Sequence, residues 1–514
     1  MRILSHTIRN TKPFLQRCLS TQVHKGIVLG LHSDNKLSSG SKAAISVAEQ
    51  QHILEQAQAL GHTGEPGTVQ LMLNPARTQQ IALVGLGSNK DESLSEVTRA
   101  AVAEGIKKLY ANKVKEVSIG PMPCSRAAAE GATLGLYTFD KFKTHEKQEA
   151  TEVTFIEDND VAAGKVCAEA QNWARDLMNT PANHMTPQIF ARCVEEQLGG
   201  LENVTVNVYD KQWVEDQRMG GLLAVSKGSE EPLRFVEIIY RGHASADQVP
   251  LAMVGKGITF DTGGYSIKPG KHMDLMKGDM GGGATVAAAM RAVAQLQLPI
   301  NVVATIPLCE NMISGGATKV SDIYTSRAGL TVEVMNTDAE GRVVLADALH
   351  YTVEKHQPST IIDVATLTGA MVMALGELYT GVFTPSPALW SRIEGASKGS
   401  DEPVWRMPLH DAWDAMLKSP VADLSNIGNK SEAGACTAAA FLRHFVRDSR
   451  AVKKQGTLAR DQNNDESLPR WAHLDIAGPM EATTSTGYHH RGMSGRPTRL
   501  LIELASQLAK NPIS

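Results

Sequence analysis

The chain has 514 residues, of which 42% are hydrophobic and 21% charged, and its 51 basic and 55 acidic side chains leave a formal net charge of −4. This composition excludes a wholly disordered, collagen-like or disulfide-scaffold chain, and the charge offers no electrostatic footprint for nucleic acid or an anionic membrane. The length is a soft prior for about three domains, fewer if they are large α/β units.

No acidic residue precedes Asp34, whereas Arg2, Arg9, Lys12, Arg17 and Lys25 do, among serines and threonines. This is the pattern of a mitochondrial transit peptide, so residues 1–23 are expected to direct import. The alternative is a short cytosolic tail on a cytoplasmic protein. Cysteines at 18, 124, 167, 193, 309 and 436 form no C-x-x-C pair and read as free thiols of a reducing compartment.

Gly26–Leu31, Thr68–Leu73, Ile81–Val84 and Val117–Ile119 read as strands. Leu94, Val97, Ala100, Ala101, Ile106 and Leu109 recur at helical spacing over 93–110. Strands alternating with helices imply a parallel-rich sheet, and residues 24–157 are expected to form an N-terminal α/β domain bounded by the charged stretch Lys141–Glu157. A connecting helix should occupy 158–180, stopped by Asn179-Thr180-Pro181. Residues 181–514 carry stronger strands at Phe235–Tyr240, Leu251–Val254, Ile300–Pro307 and Thr360–Leu367, with helices at Thr285–Leu296 and Val343–Lys355. They form a second α/β unit with glycine-rich strand-to-helix turns, where open α/β sheets bind ligands. The longest apolar run, Val364–Gly376, is too short to cross a bilayer and suits a buried strand and turn. Residues 447–470 are polar and read as an inserted loop.

Several motifs fail on spacing. The third glycine of a dinucleotide fingerprint begun at Gly85-Leu86-Gly87 would fall on Lys90, so a tight turn is the better reading. Gly264–Lys271 misses the P-loop spacing, and His272 stands where Ser or Thr belongs. H-E-x-x-H and G-x-S-x-G are absent, and His184, His272, His489 and His490 have no zinc-ligand spacing.

One constellation is different. Lys256, Asp261, Lys268 and Asp279 lie in one segment and Asp338, Glu340 and Arg342 in another, each at the end of an apolar strand beside glycines. Ionisable groups in such places are costly unless paired or metal-bound. Clustered carboxylates without a His/Cys set favour hard or borderline divalent cations, and two adjacent ions need bridging carboxylates. Such a pair can hold a water, lower its pKa and polarise a carbonyl. Blander readings stay open: Thr337-x-x-Glu340 as a capping box, Asp279 as an N-cap and Lys256 as an ordinary exposed lysine. On one regular strand Lys256 and Asp261 would face opposite sides, so the strand must end or bulge near Gly257 if both reach one site.

These segments resemble the signatures of the leucyl (cytosol) aminopeptidases, a family of two-metal exopeptidases. Asn336-Thr337-Asp338-Ala339-Glu340-Gly341-Arg342 is the most specific match. Residues 179–183, 307–312, 365–370, 471–478 and 492–497 add to it, and the resemblance spans about residues 26–506. It implies two α/β domains: a smaller N-terminal one and a larger C-terminal di-metal catalytic domain with a mixed central sheet. It also implies a homohexamer, and the expected member is an animal, mitochondrially targeted one. The implied activity is release of leucine-like N-terminal residues from peptides by a bridging hydroxide between two Zn²⁺ or Mn²⁺ ions. By the same resemblance one metal takes Lys256, Asp261, Asp279 and Glu340, and the other takes Asp261, Asp338 and Glu340. Lys268 polarises the scissile carbonyl, and Arg342 holds a bicarbonate proton shuttle. Met276, Asn336, Thr366, Leu367, Gly369 and Met493 contact substrate. No nucleic-acid or membrane partner is expected.

The sequence also departs from the family. Ile313-Ser314-Gly315-Gly316 begins without the usual proline, Val320-Ser321-Asp322 replaces Pro-Gly-Asp, and Lys277-Gly278 replaces Arg-Ala. More than twenty residues separate Val446 from Trp471. These departures motivate the competing reading, a non-catalytic assembly protein that keeps the fold and the hexamer.

Overall fold

A computed structural model describes residues 23–88, 94–144, 150–156, 160–243, 248–446 and 468–513. The expected import segment, except residue 23, and most of the 447–470 insertion lie outside the described residues. Two units divide between Gly164 and Lys165, inside the helix Val161–Asn179.

In the first unit the apolar run Lys25–Leu31 (β1) is buried at every residue but its first, as a strand covered on both faces must be. It is joined by Val69–Leu73 (β2), Gln79–Gly85 (β3), Glu116–Ile119 (β4) and Glu152–Phe155 (β5) in the order β2-β3-β1-β4-β5. Only β2 runs antiparallel to its neighbour. Val28 and Leu29 point to opposite faces, and each joins its own core: Val28 with Val84 and Ile106, Leu29 with Leu83 and Ile53. Ile53 belongs to a helix the sequence reading did not propose, Val47–Ala59. It starts with a capping box in which the Glu49 amide donates to Ser46 Oγ and the Ser46 amide to Glu49 Oε2. β5 lies inside the stretch expected to be a boundary. Glu152 and Thr154 face solvent while Val153 and Phe155 are half-buried, an alternation an edge strand accommodates, so charge there marks an exposed face.

The second unit contains Val204–Tyr209 (β6), Arg234–Arg241 (β7), Leu251–Gly255 (β8), Gly257–Asp261 (β9), Asn301–Asn311 (β10), Ile323–Thr325 (β11), Thr331–Glu333 (β12), Thr360–Ala365 (β13), Thr380–Phe383 (β14), Val404–Arg406 (β15), Leu424–Ser425 (β16) and Arg470–Asp475 (β17). Its main sheet runs β15-β14-β17-β13-β8-β10-β7-β6, with β9 continuing beside β10. The centre, β17-β13-β8-β10, is parallel, and antiparallel neighbours flank it at β14, β7 and β6. This is the mixed central sheet the sequence implied. β8, β10 and β13 are buried throughout, because helices cover both faces. Gly281–Gln295 and Thr498–Lys510 pack on one side, and Gly341–His356 and Gly434–Val446 on the other.

The apolar run Val364–Gly376 is buried strand and turn only as far as Thr368. β13 ends at Ala365, and after three residues a helix, Gly369–Leu375, begins. Thr368 caps it by accepting from the Met371 amide at 3.1 Å, while Met373 is 88% exposed. The cap lies within a hydrophobic run, which hides it from a periodicity reading. No helix among the described residues is long and apolar enough to cross a membrane.

Candidate metal centre

β8 stops at Gly255, and β9 starts at Gly257 on a new path beside β10, so Lys256 sits at the break and Asp261 at the next strand end. Both side chains thereby reach one site, as the alternation argument requires. Backbone approach makes room for them. A Cβ on Gly282 would meet the Val364 carbonyl oxygen at 1.9 Å, and one on Gly341 would meet Lys256 Cε at 2.6 Å, so the lysine stem lies directly over Gly341. The Gly283 amide donates to Lys256 O at 2.7 Å, and the Lys256 amide to Val364 O at 3.0 Å.

Two lysines face four carboxylates. Lys256 Nζ stands 2.7 Å from Asp279 Oδ2 and 2.8 Å from Glu340 Oε1, and donates to Thr366 O at 3.0 Å. Lys268 Nζ stands 2.8 Å from Asp261 Oδ2 and 2.5 Å from Asp338 Oδ1. Asn311 Nδ2 donates to Asp261 Oδ1 at 2.7 Å and to Thr337 O at 3.0 Å, and the Gly263 amide reaches the same Asp261 oxygen at 2.9 Å. One oxygen from each of Asp261, Asp338 and Glu340 lies within 4.8 Å of the others.

Burial pushes Asp279 and Glu340 above the ordinary carboxylate range, and neighbouring carboxylates add to that against the pull of Lys256. Burial and the nearby Asp261 charge carry Asp338 up to about 6. Burial also opposes the charges of Lys256 and Lys268, yet the carboxylates outweigh it and hold both ammonium groups above their usual values. Four carboxylates thus face two lysines, more than the lysines can pair when all are ionised. Oxygen donors this close together, with one amine among them, fit hard or borderline divalent cations. A dication there would reverse the protonation preference of Lys256 and make its neutral amine a ligand.

The blander readings do not hold. Lys256 is 2% exposed. Thr337 Oγ1 donates to Gly263 O at 2.6 Å and accepts from the Ser266 amide at 2.8 Å, so it ties the two motif loops together instead of capping a helix. The helix Gly281–Gln295 has Met280, not Asp279, at its N-cap.

Arg342 opens the helix Gly341–His356. Its Nη1 donates to Asn426 O at 3.2 Å, its buried Nε has no hydrogen-bond partner among the described residues, and burial draws the guanidinium down to about 10. Asn336 Oδ1 accepts from the Asp338 amide at 2.8 Å, and Thr366 Oγ1 donates to Asp279 Oδ1 at 2.8 Å. Leu367 is half-buried, and nothing lies within 4 Å of where a Cβ of Gly369 would stand. Met493 is buried against Gly278, two residues along the turn Met273–Gly278 from the half-buried Met276.

Three supporting residues escaped the sequence reading. Asn311 and Asp475 lie inside the family-like segments 307–312 and 471–478. Asn426, fully buried, donates to Asn336 O at 2.6 Å and accepts from the Met335 amide at 2.8 Å, and no local pattern announces it.

Residues 172–502 match the profile of the cytosol aminopeptidase family, catalytic domain, and residues 28–146 match that family's N-terminal domain. The cytosol aminopeptidase of Xenopus tropicalis is 42% identical over 513 residues, covering 95% of this chain and 94% of its own. That of Homo sapiens is 41% identical over 521 residues, covering 97% and 96%. Among solved structures, the bottromycin maturation enzyme BotP in complex with Mn superposes with a TM-score of 0.80 at 32% identity, over 95% of this chain and 100% of that one.

Proposed function

Because the chain belongs to the cytosol aminopeptidase family and is a metallo-aminopeptidase, we propose that it removes leucine-like residues from the free N-termini of peptides at the Lys256, Asp261, Asp279, Asp338 and Glu340 centre. The observation that carries this reading is the convergence of Asp261, Asp338 and Glu340 beside the buried Lys256 and the half-buried Lys268. Zn²⁺ or Mn²⁺ would be held by Lys256, Asp261, Asp279 and Glu340 and by Asp261, Asp338 and Glu340, and the Mn complex of the similar BotP supports manganese. Bound there, the two ions would supply a water of lowered pKa and a Lewis acid for the scissile carbonyl.

The chain's own groups do the rest. Lys268, whose side chain is 19% exposed, stands at the more open end of the cluster, where the neighbouring carboxylates favour its charged form. It donates to the carbonyl oxygen as negative charge grows there. Arg342, with an unmet buried donor, suits a small anion such as bicarbonate that carries a proton to the leaving amine. The peptide amine enters at the closed end beside Lys256 and Asp279, which restricts cleavage to free N-termini. The thioethers of Met276 and Met493 adapt to leucine-like side chains, and Asn336, Thr366, Leu367 and Gly369 receive the substrate backbone. The acid-free, basic residues 1–23 support mitochondrial import, and the family likeness supports a homohexamer. The complete donor set argues against the non-catalytic alternative.

Hydrolysis of leucinamide by a chain lacking residues 1–23, with and without added Mn²⁺ or Zn²⁺, tests this reading. Metal-dependent turnover that disappears in Glu340→Ala is expected. A folded, metal-loaded chain that releases no leucine would refute it.

A further inference from the structure

The segment Trp471–Gly478 takes part in no step of the proposed reaction, yet its polar residues form an ordered series. Along β17 the side chains of Trp471, His473 and Asp475 fall on one face. Trp471 Nε1 donates to Asp363 Oδ2 at 2.7 Å, and His473 Nδ1 lies 2.5 Å from Asp363 Oδ1, both across the parallel pairing of β13 with β17. Asp475 pairs in register with Ala365, the last residue of β13, so its side chain meets the turn that follows. There Oδ1 accepts from the Leu367 amide at 3.2 Å and the Ala477 amide at 3.1 Å, and Oδ2 accepts from Thr368 Oγ1 at 2.6 Å.

Asp475 is 0% exposed. A carboxylate so buried is costly unless donors meet it, and two of its three donors belong to the turn. On the turn's other side, Thr366 accepts from Lys256 Nζ through its carbonyl and donates to Asp279 through its hydroxyl. Residues 366–368 are therefore held between the metal-ligand set and Asp475. Beyond them, open space surrounds the Cβ position of Gly369. A segment fixed on two sides and open beyond, beside a reactive centre, is the arrangement that receives a substrate backbone without reorganising.

We infer that Asp475 is a positioning residue: through Leu367 and Thr368 it sets the turn that receives the substrate, without touching the substrate itself. What the turn receives rests on the aminopeptidase reading, whereas the brace rests on the hydrogen bonds alone.

Two measurements on the full chain test it. In the Mn²⁺-loaded enzyme, Asp475→Ala should raise KM for leucyl peptides about tenfold with kcat changed less than about threefold and Mn²⁺ uptake unaltered. Asp475→Asn keeps an acceptor for both amides and should stay within about threefold of the parent. In the metal-free chain, the Leu367 amide should exchange its hydrogen at least about tenfold faster in Asp475→Ala, with Ile361–Val364 unchanged. Parental KM and exchange in Asp475→Ala would overturn the inference. So would an Asp475→Asn variant as impaired as Asp475→Ala, or joint loss of kcat and metal uptake. If Asp475→Ala does not fold, Thr368→Val removes one arm together with the cap of Gly369–Leu375 and should raise KM about threefold, and a parental KM there overturns the inference. An inactive metal-loaded parent would sink the proposed function and still leave amide exchange to decide the brace.

Discussion

The catalytic unit buries carboxylates in two regions of one sheet and treats them in opposite ways. On β7, Glu237 accepts from Asn207 at 2.8 Å, Tyr209 at 3.2 Å, Tyr351 at 2.8 Å and the His356 ring at 2.8 Å. Burial works against its charge, yet these donors, His356 foremost, hold it down at about 2. At the ends of β8 and β9, burial and mutual repulsion instead raise Asp279, Glu340 and Asp338. A structural buried carboxylate is surrounded by the donors it needs. A ligand-binding cluster is left short of positive charge until a cation arrives.

The largest effect is expected at Glu340. Glu340→Ala should abolish metal-dependent turnover, and an active variant would mean that the cluster is not the metal site. Lys268→Ala should lower kcat about 10²–10³-fold while bound metal, measured by elemental analysis, stays constant. Metal lost together with kcat would make Lys268 a structural counter-ion only. Asn311→Ala removes one of the two donors to Asp261 Oδ1 and should weaken metal binding about 10–100-fold, read by titration with a chelator.

Glu237→Gln should leave kcat close to parental yet cost about 1–3 kcal/mol of stability at neutral pH, because an amide cannot accept from all four donors and leaves buried ones unmet. The folded pKa of Glu237, about 2, lies below the unfolded value of 4.5, so its stabilisation is fully present above 4.5 and is lost as the pH falls through about 2. The gap in Tm between parent and variant should therefore be widest above pH 5 and close on acidification. A gap independent of pH would mean that Glu237 acts through packing alone.

The metal-ligand candidates were legible because Lys256 and Asp261 stand at the ends of apolar strands, and Asp279, Asp338 and Glu340 just ahead of glycine-led helices, where a charge without a partner is out of place. Even the break at Lys256 followed from side-chain alternation. Their supports were not, because they act across the chain. Asn311 meets Asp261 from 50 residues away, Asn426 meets Asn336 from 90, and Asp475 meets Leu367 from 108. Local periodicity carries no trace of such pairs. Among the elements, long central strands such as β10 announced themselves as apolar runs. Val47–Ala59 did not, because only Ile53 and Ala57 of its 13 residues are buried. The helix Gly369–Leu375 was hidden by continuity with the strand before it.

Asp261, Asp279, Asp338 and Glu340 are expected to form, with Lys256, one centre completed by two divalent ions. Calorimetric titration of Mn²⁺ into the metal-free full-length chain, beside Asp261→Ala, tests it most directly, because Asp261 is assigned to both sites. Two equivalents should bind per parent chain, and neither should be bound tightly by the variant. A parent that binds no Mn²⁺, or a variant that binds as the parent does, would contradict it.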